Sequence, residues 1–249
     1  MACRSGNCGT APSKSGGLSV RANISRLLDG LAFDVSEDVL PPWQSSSAIL
    51  ASLHEHPEWL GHMRRVVDVG CGSGVLACWL ARRGLNVTAL DINTTAAMAT
   101  AANASCNGLR MHILICDLTC CLTAGTVDAL IANLPFDPDG SRNHGRLTGA
   151  LVDAEYRAHR RLLVDAQRLL NNDGRIVLAS SPTIGCDNLL WTIIAEEGWV
   201  LLDSASIWLN APTPKHPDKS HLYRTLLLGK QETSSRNRLQ GVGRCRDPG

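Results

Sequence analysis

From Arg65 to Gly74 the chain reads Arg-Val-Val-Asp-Val-Gly-Cys-Gly-Ser-Gly. A short apolar run, Arg65–Val69, has the length of a buried strand. It enters a turn with glycine at every second position. The apolar segment Val75–Arg83 that follows has the length of a helix, and Gly84 ends it. A buried strand that passes through a glycine turn into a helix needs a second strand beside the first, with the helix packed across both. This restricts the region to an α/β arrangement.

The rest of the chain repeats that unit. Strands are predicted at Asn86–Leu90, Met111–Cys116, Val127–Ala132 and Arg175–Ala179. Helices are predicted at Thr94–Asn107, Leu151–Leu170 and Asp187–Glu197. The long helix is expected to close at Asn171-Asn172-Asp173-Gly174. Trp199–Trp208 and Leu222–Leu228 follow as strands with no helix between them. The expected fold is α/β: a Rossmann-like, seven-stranded, mostly parallel sheet with helices on both faces and a C-terminal antiparallel hairpin. Residues 1–20, rich in Ser, Gly, Cys and Lys, are expected to be a flexible tail, and residues 231–249, polar and Arg-rich, a second one. Residues 21–63 are expected to be a helical extension, broken at Pro41-Pro42 and resumed as a Ser-capped helix from Ser45 to His54 with Ile49, Leu50 and Leu53 on one face. Residues 64–230 form the main domain.

Composition narrows the function classes. The 249 residues carry a formal net charge of +1, so no overall field draws the chain to nucleic acid or membrane. Aromatic residues make up 4%, too few for a wide base-stacking platform. No run of 18 apolar residues exists to span a bilayer, and no apolar leader opens the chain. The ten cysteines include no Cys-x-x-Cys pair. Cys71, Cys78, Cys106 and Cys116 lie in apolar or Gly-rich elements and read as reduced, buried hydrophobes. A cytoplasmic protein without a metal site is expected.

The glycine turn separates two cofactor classes. Gly70 and Gly72 fit the dinucleotide pattern G-x-G-x-x-G, but Val75 stands where its third glycine belongs. With Gly74 the turn reads G-x-G-x-G, which resembles the first motif of class I methyltransferases dependent on S-adenosylmethionine (SAM). Asp91 and Asp117 each stand at the end of a strand, in Ala89-Leu90-Asp91-Ile92-Asn93 and Ile115-Cys116-Asp117-Leu118. The resemblance covers about Val66 to Gly229. It implies SAM as cofactor, held by Asp68, Gly70, Cys71, Gly72, Gly74, Asp91, Ile92, Asp117, Leu118 and Asn133. Asp91 would accept from the ribose hydroxyls. Asp117 would take the adenine amino group, with Leu118 against the ring. Asp68 would serve the methionine end or the glycine loop.

The fourth strand ends in Asn133-Leu134-Pro135-Phe136, the expected catalytic residues. This is similar to the Asn-Pro-Pro-Tyr/Phe motif of methyltransferases acting on planar amide or amino nitrogens. The HemK-type release-factor glutamine enzymes and the adenine-N6 and guanine-N2 enzymes belong to that group. The Asn-Leu-Pro-Tyr form belongs to ribosomal RNA adenine dimethyltransferases. A planar NH2 is a weak nucleophile because its lone pair is delocalised. The Asn133 side-chain oxygen and the Leu134 carbonyl could each accept one N–H and turn the lone pair toward a methyl donor. Pro135 biases Leu134 toward an extended backbone, and Phe136 could stack on the target.

The segments Asp38–Pro42, Ser45–Leu50 and Gly149–Leu178 are also similar to HemK-type enzymes. The modest charge and few aromatic residues put first a methyltransferase acting on a protein amide or a small-molecule amine. The alternatives are a ribosomal RNA or DNA base methyltransferase and, in another class, a non-catalytic SAM-binding subunit. A nicotinamide-dependent oxidoreductase is disfavoured by Val75. Residues 137–149, with Arg142, His144 and Arg146, read as a substrate-gating or surface loop. Tyr156–Arg161 reads as a solvated basic helix face. The sequence does not name the acceptor or the oligomeric state.

Overall fold

A computed structural model describes residues 27–34, 39, 45–138, 152–210 and 220–231. The expected tails at 1–20 and beyond Gln231, the Pro41-Pro42 break and Arg142, His144 and Arg146 lie outside the described residues. The elements run α1 (Ser45–Glu55), β1 (Arg65–Val69), α2 (Val75–Arg82), β2 (Asn86–Asp91), α3 (Thr94–Cys106), β3 (His112–Ile115), β4 (Val127–Ala132), α4 (Arg157–Leu169), β5 (Leu170–Ser180), α5 (Asp187–Glu196), β6 (Trp199–Asn210) and β7 (Ser220–Lys230). Short 3-10 turns lie at Pro57–Trp59 and Ala154–Tyr156.

The sheet has seven strands in the order β3-β2-β1-β4-β5-β7-β6. The first five are parallel. β7 runs antiparallel between β5 and β6. This is the expected fold class, with the C-terminal hairpin inserted so that its second strand lies inside its first. The chain winds outward in both directions from β1 and β4, and the crevice between their carboxyl ends is where open α/β sheets bind ligands.

The central strands are apolar on both faces, which is why they read as continuous hydrophobic runs. Val66, Ala129, Ile131, Val177, Ala179 and Leu227 face a core shared with α1 and α2. Val67, Val69, Leu130, Ala132, Ile176, Leu178, Leu226 and Leu228 face the other core, shared with α4 and α5. The period of two along each strand sorts neighbouring residues into opposite layers. Asp128 ties the starts of β1 and β4 together. It accepts the backbone N–H groups of Arg64 and Arg65, at 2.9 and 2.8 Å, and the Arg65 guanidinium. Burial opposes ionisation of Asp128, but these partners hold its carboxyl down at about 2.

The helix expected at Leu151–Leu170 is shorter. Leu151 lies outside the described residues, and α4 starts at Arg157 because Glu155 and Tyr156 are left-handed, each with φ 54°. Asp153 caps the helix from before this kink, accepting from Ala158 N and His159 N. Its end also differs. Asn171–Gly174 is not a free turn but part of β5, which begins at Leu170 opposite Val127, with a bulge before Ala129. A Cβ on Gly174 would come within 2.7 Å of Leu170 Cβ, so the bulge closes only around glycine.

Candidate active site

The glycine turn is held from three sides. Gly70, Gly72 and Gly74 have φ of 75°, 55° and 80°, which only glycine adopts without strain. Gly70 N and Cys71 N both donate to Leu90 O, which fastens the turn to β2. Asp91 Oδ2 accepts Gly72 N–H at 2.9 Å, and Asp91 Oδ1 accepts Asn93 N–H at 2.8 Å. From α3, Thr100 Oγ1 lies 3.0 Å from Gly72 O and 3.2 Å from Cys71 Sγ, while Asn103 Nδ2 donates to Ser73 O. A Cβ on Gly74 would come within 2.8 Å of Thr100 Cγ2, so this glycine is required by packing as well as by φ.

A Cβ on Gly72, by contrast, would meet nothing within 4 Å. The turn therefore presents bare backbone to open space, with the partly exposed Asp91 beside it and Ile92 68% exposed next in sequence. An open backbone cradle, a carboxylate acceptor and an uncovered apolar side chain suit the ribose and ring of a nucleoside.

Asp68 serves the turn's helix. Its Oδ2 accepts the backbone N–H of Ala77 at 3.0 Å, in the first turn of α2. Its Oδ1 is buried without a hydrogen-bond partner among the described residues. Burial, reinforced by the charge of Asp91, pushes the carboxyl up to about 7 against the Ala77 bond. Cys71 is buried, and burial pushes its thiol well above the ordinary range. Asp117 is engaged elsewhere: both its oxygens meet the Arg161 guanidinium of α4, at 2.8 and 3.3 Å. Leu118 follows with φ 51°, a strained conformation for leucine.

Asn133 stands just past the end of β4, on the same edge of the sheet as Gly70. Its Nδ2 donates to Ser46 Oγ at 3.0 Å. Leu134 is buried and lies over the glycine turn, its Cδ2 3.8 Å from where a Gly70 Cβ would be. Phe136 is half-buried and packs against Tyr223, ring centroids 6.3 Å apart. Its carbonyl accepts the Tyr156 hydroxyl at 3.1 Å, and the same hydroxyl accepts Cys186 N–H at 2.9 Å. Tyr156 is in turn braced edge-on by His159, which is fully buried and 2.7 Å from Asp153. Burial alone would raise the Asp153 carboxyl, but the His159 ring and the α4 amides hold it below the ordinary range. The glycine turn, Asp91 and the Asn133–Phe136 segment thus share the carboxyl edge of the parallel strands.

Residues 44–197 match the methyltransferase small domain family. The chain belongs to this family, and with it to the class I SAM-dependent methyltransferases. Among similar proteins is the ribosomal RNA small subunit methyltransferase C of Alcanivorax borkumensis, 36% identical over 93 residues, or 37% of this chain and 28% of the relative. The tRNA1(Val) (adenine(37)-N6)-methyltransferase of Yersinia pestis is 27% identical over 62% of this chain and 64% of the relative. The chain thus spans less than two thirds of these relatives. Among solved structures, the T. thermophilus 16S rRNA N2 methyltransferase (RsmC), in complex with AdoMet and guanosine, superposes with a TM-score of 0.52 at 22% identity. That match covers 79% of this chain and 45% of that one, a likeness of fold.

Several residues that support this site carry no motif in the sequence. Thr100 and Asn103 on the otherwise Ala-rich α3, with Asn107 capping its end, form a polar stripe at helical spacing, a readable signal. Asn103 and Asn107 clamp the backbone of Asp34 and Ala32, and Asn103 also holds the glycine turn. Ser46 gave no such signal, because its partner is far away in sequence, and the expected solvated face Tyr156–Arg161 is split: Tyr156 and His159 are buried, while Arg161 is exposed and bound to Asp117. Among the described residues no group of three or more His, Cys, Asp or Glu side chains is placed to hold a metal ion, and no helix is long and apolar enough to cross a membrane.

Proposed function

We propose that the chain transfers a methyl group from SAM to the exocyclic amine of a base in RNA, adenine N6 or guanine N2. The carrying observation is Asn133-Leu134-Pro135-Phe136 at the carboxyl end of β4, beside the open glycine turn. In this reading Asp91 receives the ribose hydroxyls, Gly70, Gly72 and Gly74 admit the methionine portion, Ile92 and Leu118 flank the adenine, and Asp68 and Cys71 hold the turn from beneath. SAM supplies an electrophilic methyl on a sulfonium centre. The chain's own residues do the rest. Asn133 Oδ1 and the Leu134 carbonyl each accept one N–H of the target amine, so its lone pair is directed at the methyl. The same acceptors stabilise the positive charge that develops on nitrogen as the N–CH3 bond forms and the S–CH3 bond of SAM breaks, and the methylated nitrogen then releases one proton to water. Phe136, held by Tyr223, offers its free edge or face to the planar base. Holding the two reactants in line supplies most of the rate.

A protein amide, the first expectation from sequence, presents the same planar NH2 to the same two acceptors. Two relatives, named for ribosomal RNA and for adenine-N6 of a tRNA, favour the RNA base over it. The test is incubation with radiolabelled SAM and total RNA, followed by nucleoside analysis. Label in N6-methyladenosine or N2-methylguanosine supports the reading. Label confined to protein returns the amide acceptor to first place.

A further inference from the structure

We infer that Ser46 is a positioning residue for methyl transfer: its hydroxyl tethers the Asn133 amide by the nitrogen, so that Oδ1 is left to the acceptor. The inference rests on the proposed nitrogen-activation reading and deepens it.

A carboxamide has one oxygen that accepts and one nitrogen that donates, and rotation by half a turn exchanges them. Activation of an exocyclic amine requires the oxygen. With the nitrogen in its place, N–H would confront N–H, and the lone pair would not be turned toward the methyl. Asn133 Nδ2 donates to Ser46 Oγ at 3.0 Å. Among the described residues this is the side chain's one hydrogen bond. Occupying the nitrogen leaves Oδ1 available to the acceptor.

The anchor is rigid. Ser46 is buried in the first turn of α1, 87 residues before Asn133. Ile49, Leu50 and Leu53 sink the same helix into the core shared with β1, α2 and β5. The Ser46 hydroxyl is therefore held by packing independent of the catalytic segment. Ser52, on the same helix, spends its hydroxyl on the carbonyl of Ala48 four residues back. Ser46 reaches across to another element instead. Removing the hydroxyl would leave the amide free to rotate, with no change to the glycine turn or to Asp91.

The test compares Ser46→Ala, Ser46→Cys and Ser46→Thr with the wild-type chain. SAM affinity, measured by calorimetry, reports that each variant retains its fold and cofactor site. Methyl transfer to total RNA is read as kcat and KM. Exchange of the Asn133 side-chain amide protons is followed by NMR, their signals identified by their loss in Asn133→Asp. Expected for Ser46→Ala and Ser46→Cys are unchanged SAM affinity, kcat lower by about 10- to 100-fold and faster amide exchange. Ser46→Thr, which keeps the hydroxyl, should restore both. Wild-type kcat and wild-type exchange in Ser46→Ala and Ser46→Cys would overturn the inference. If the wild-type chain methylates no RNA, the RNA-base reading fails. The exchange arm then still decides the orientation: equal exchange in all four proteins overturns it, and faster exchange in Ser46→Ala upholds it.

Discussion

Asp91 Oδ2 accepts the backbone N–H of Gly72 at 2.9 Å, across 19 residues of sequence. The acid at the end of β2 thus shapes the turn at the end of β1 as well as facing the open space in front of it. Asp91→Ala removes an acceptor of Gly72, an acceptor of Asn93 and the proposed ribose contact together. SAM binding should weaken by roughly 1.5–3 kcal/mol, the scale of a hydrogen bond to a charged group. Calorimetric titration measures this, and unchanged affinity would move the ribose site elsewhere.

Arg161 competes for Asp117. The pair is about half exposed on both sides, so it contributes little to stability. If Asp117 receives the adenine amine, Arg161→Ala should tighten SAM binding by a small factor, and Asp117→Ala should weaken it. Weaker binding in Arg161→Ala would mean that the guanidinium itself helps to hold the cofactor.

Tyr156→Phe deletes one hydroxyl and strands two groups, the carbonyl of Phe136 and the amide of Cys186. The expected loss of stability is about 1–3 kcal/mol, read as a shift of the urea midpoint. Methyl transfer should fall further than SAM binding, because the freed carbonyl belongs to the proposed catalytic segment Asn133–Phe136. Equal losses in both would reduce Tyr156 to a purely structural role.

Asp68 makes stability depend on pH in a stated direction. Its folded-state value, about 7, lies above the ordinary 3.8. Below the ordinary value the carboxyl is neutral in both states, and its contribution to stability is complete. As pH rises toward 7 the unfolded chain ionises first, and stability is lost until the folded carboxyl ionises too. Asp68→Asn should therefore flatten the decline in urea midpoint between about pH 4 and pH 7. A decline as steep as in the wild-type chain would assign the effect to other groups.

The sequence disclosed what local chemistry writes into it. The two-faced apolar runs at Val66–Val69 and Val127–Ala132 announced buried parallel strands, and Gly70, Gly72 and Gly74 announced the strand-to-helix turn at their carboxyl edge. Boundaries failed where tertiary partners override propensity. Asp153 caps α4 across a left-handed kink at Glu155 and Tyr156, and Leu170–Gly174 joins the sheet through a bulge instead of forming a turn. The site's supports were the least legible. Ser46, Tyr156 and Arg161 act through side-chain bonds to residues 20 to 87 positions away, and no periodicity marks them.

Methyl transfer to an RNA base through Asn133 can be tested directly. The most direct measurement is transfer of radiolabel from SAM to total RNA by the wild-type chain and by Asn133→Ala, with SAM affinity measured for both. Expected is label in N6-methyladenosine or N2-methylguanosine for the wild type, none for Asn133→Ala, and equal SAM affinity in the two. Undiminished transfer by Asn133→Ala, or no label in RNA from a wild-type chain that binds SAM, would contradict it.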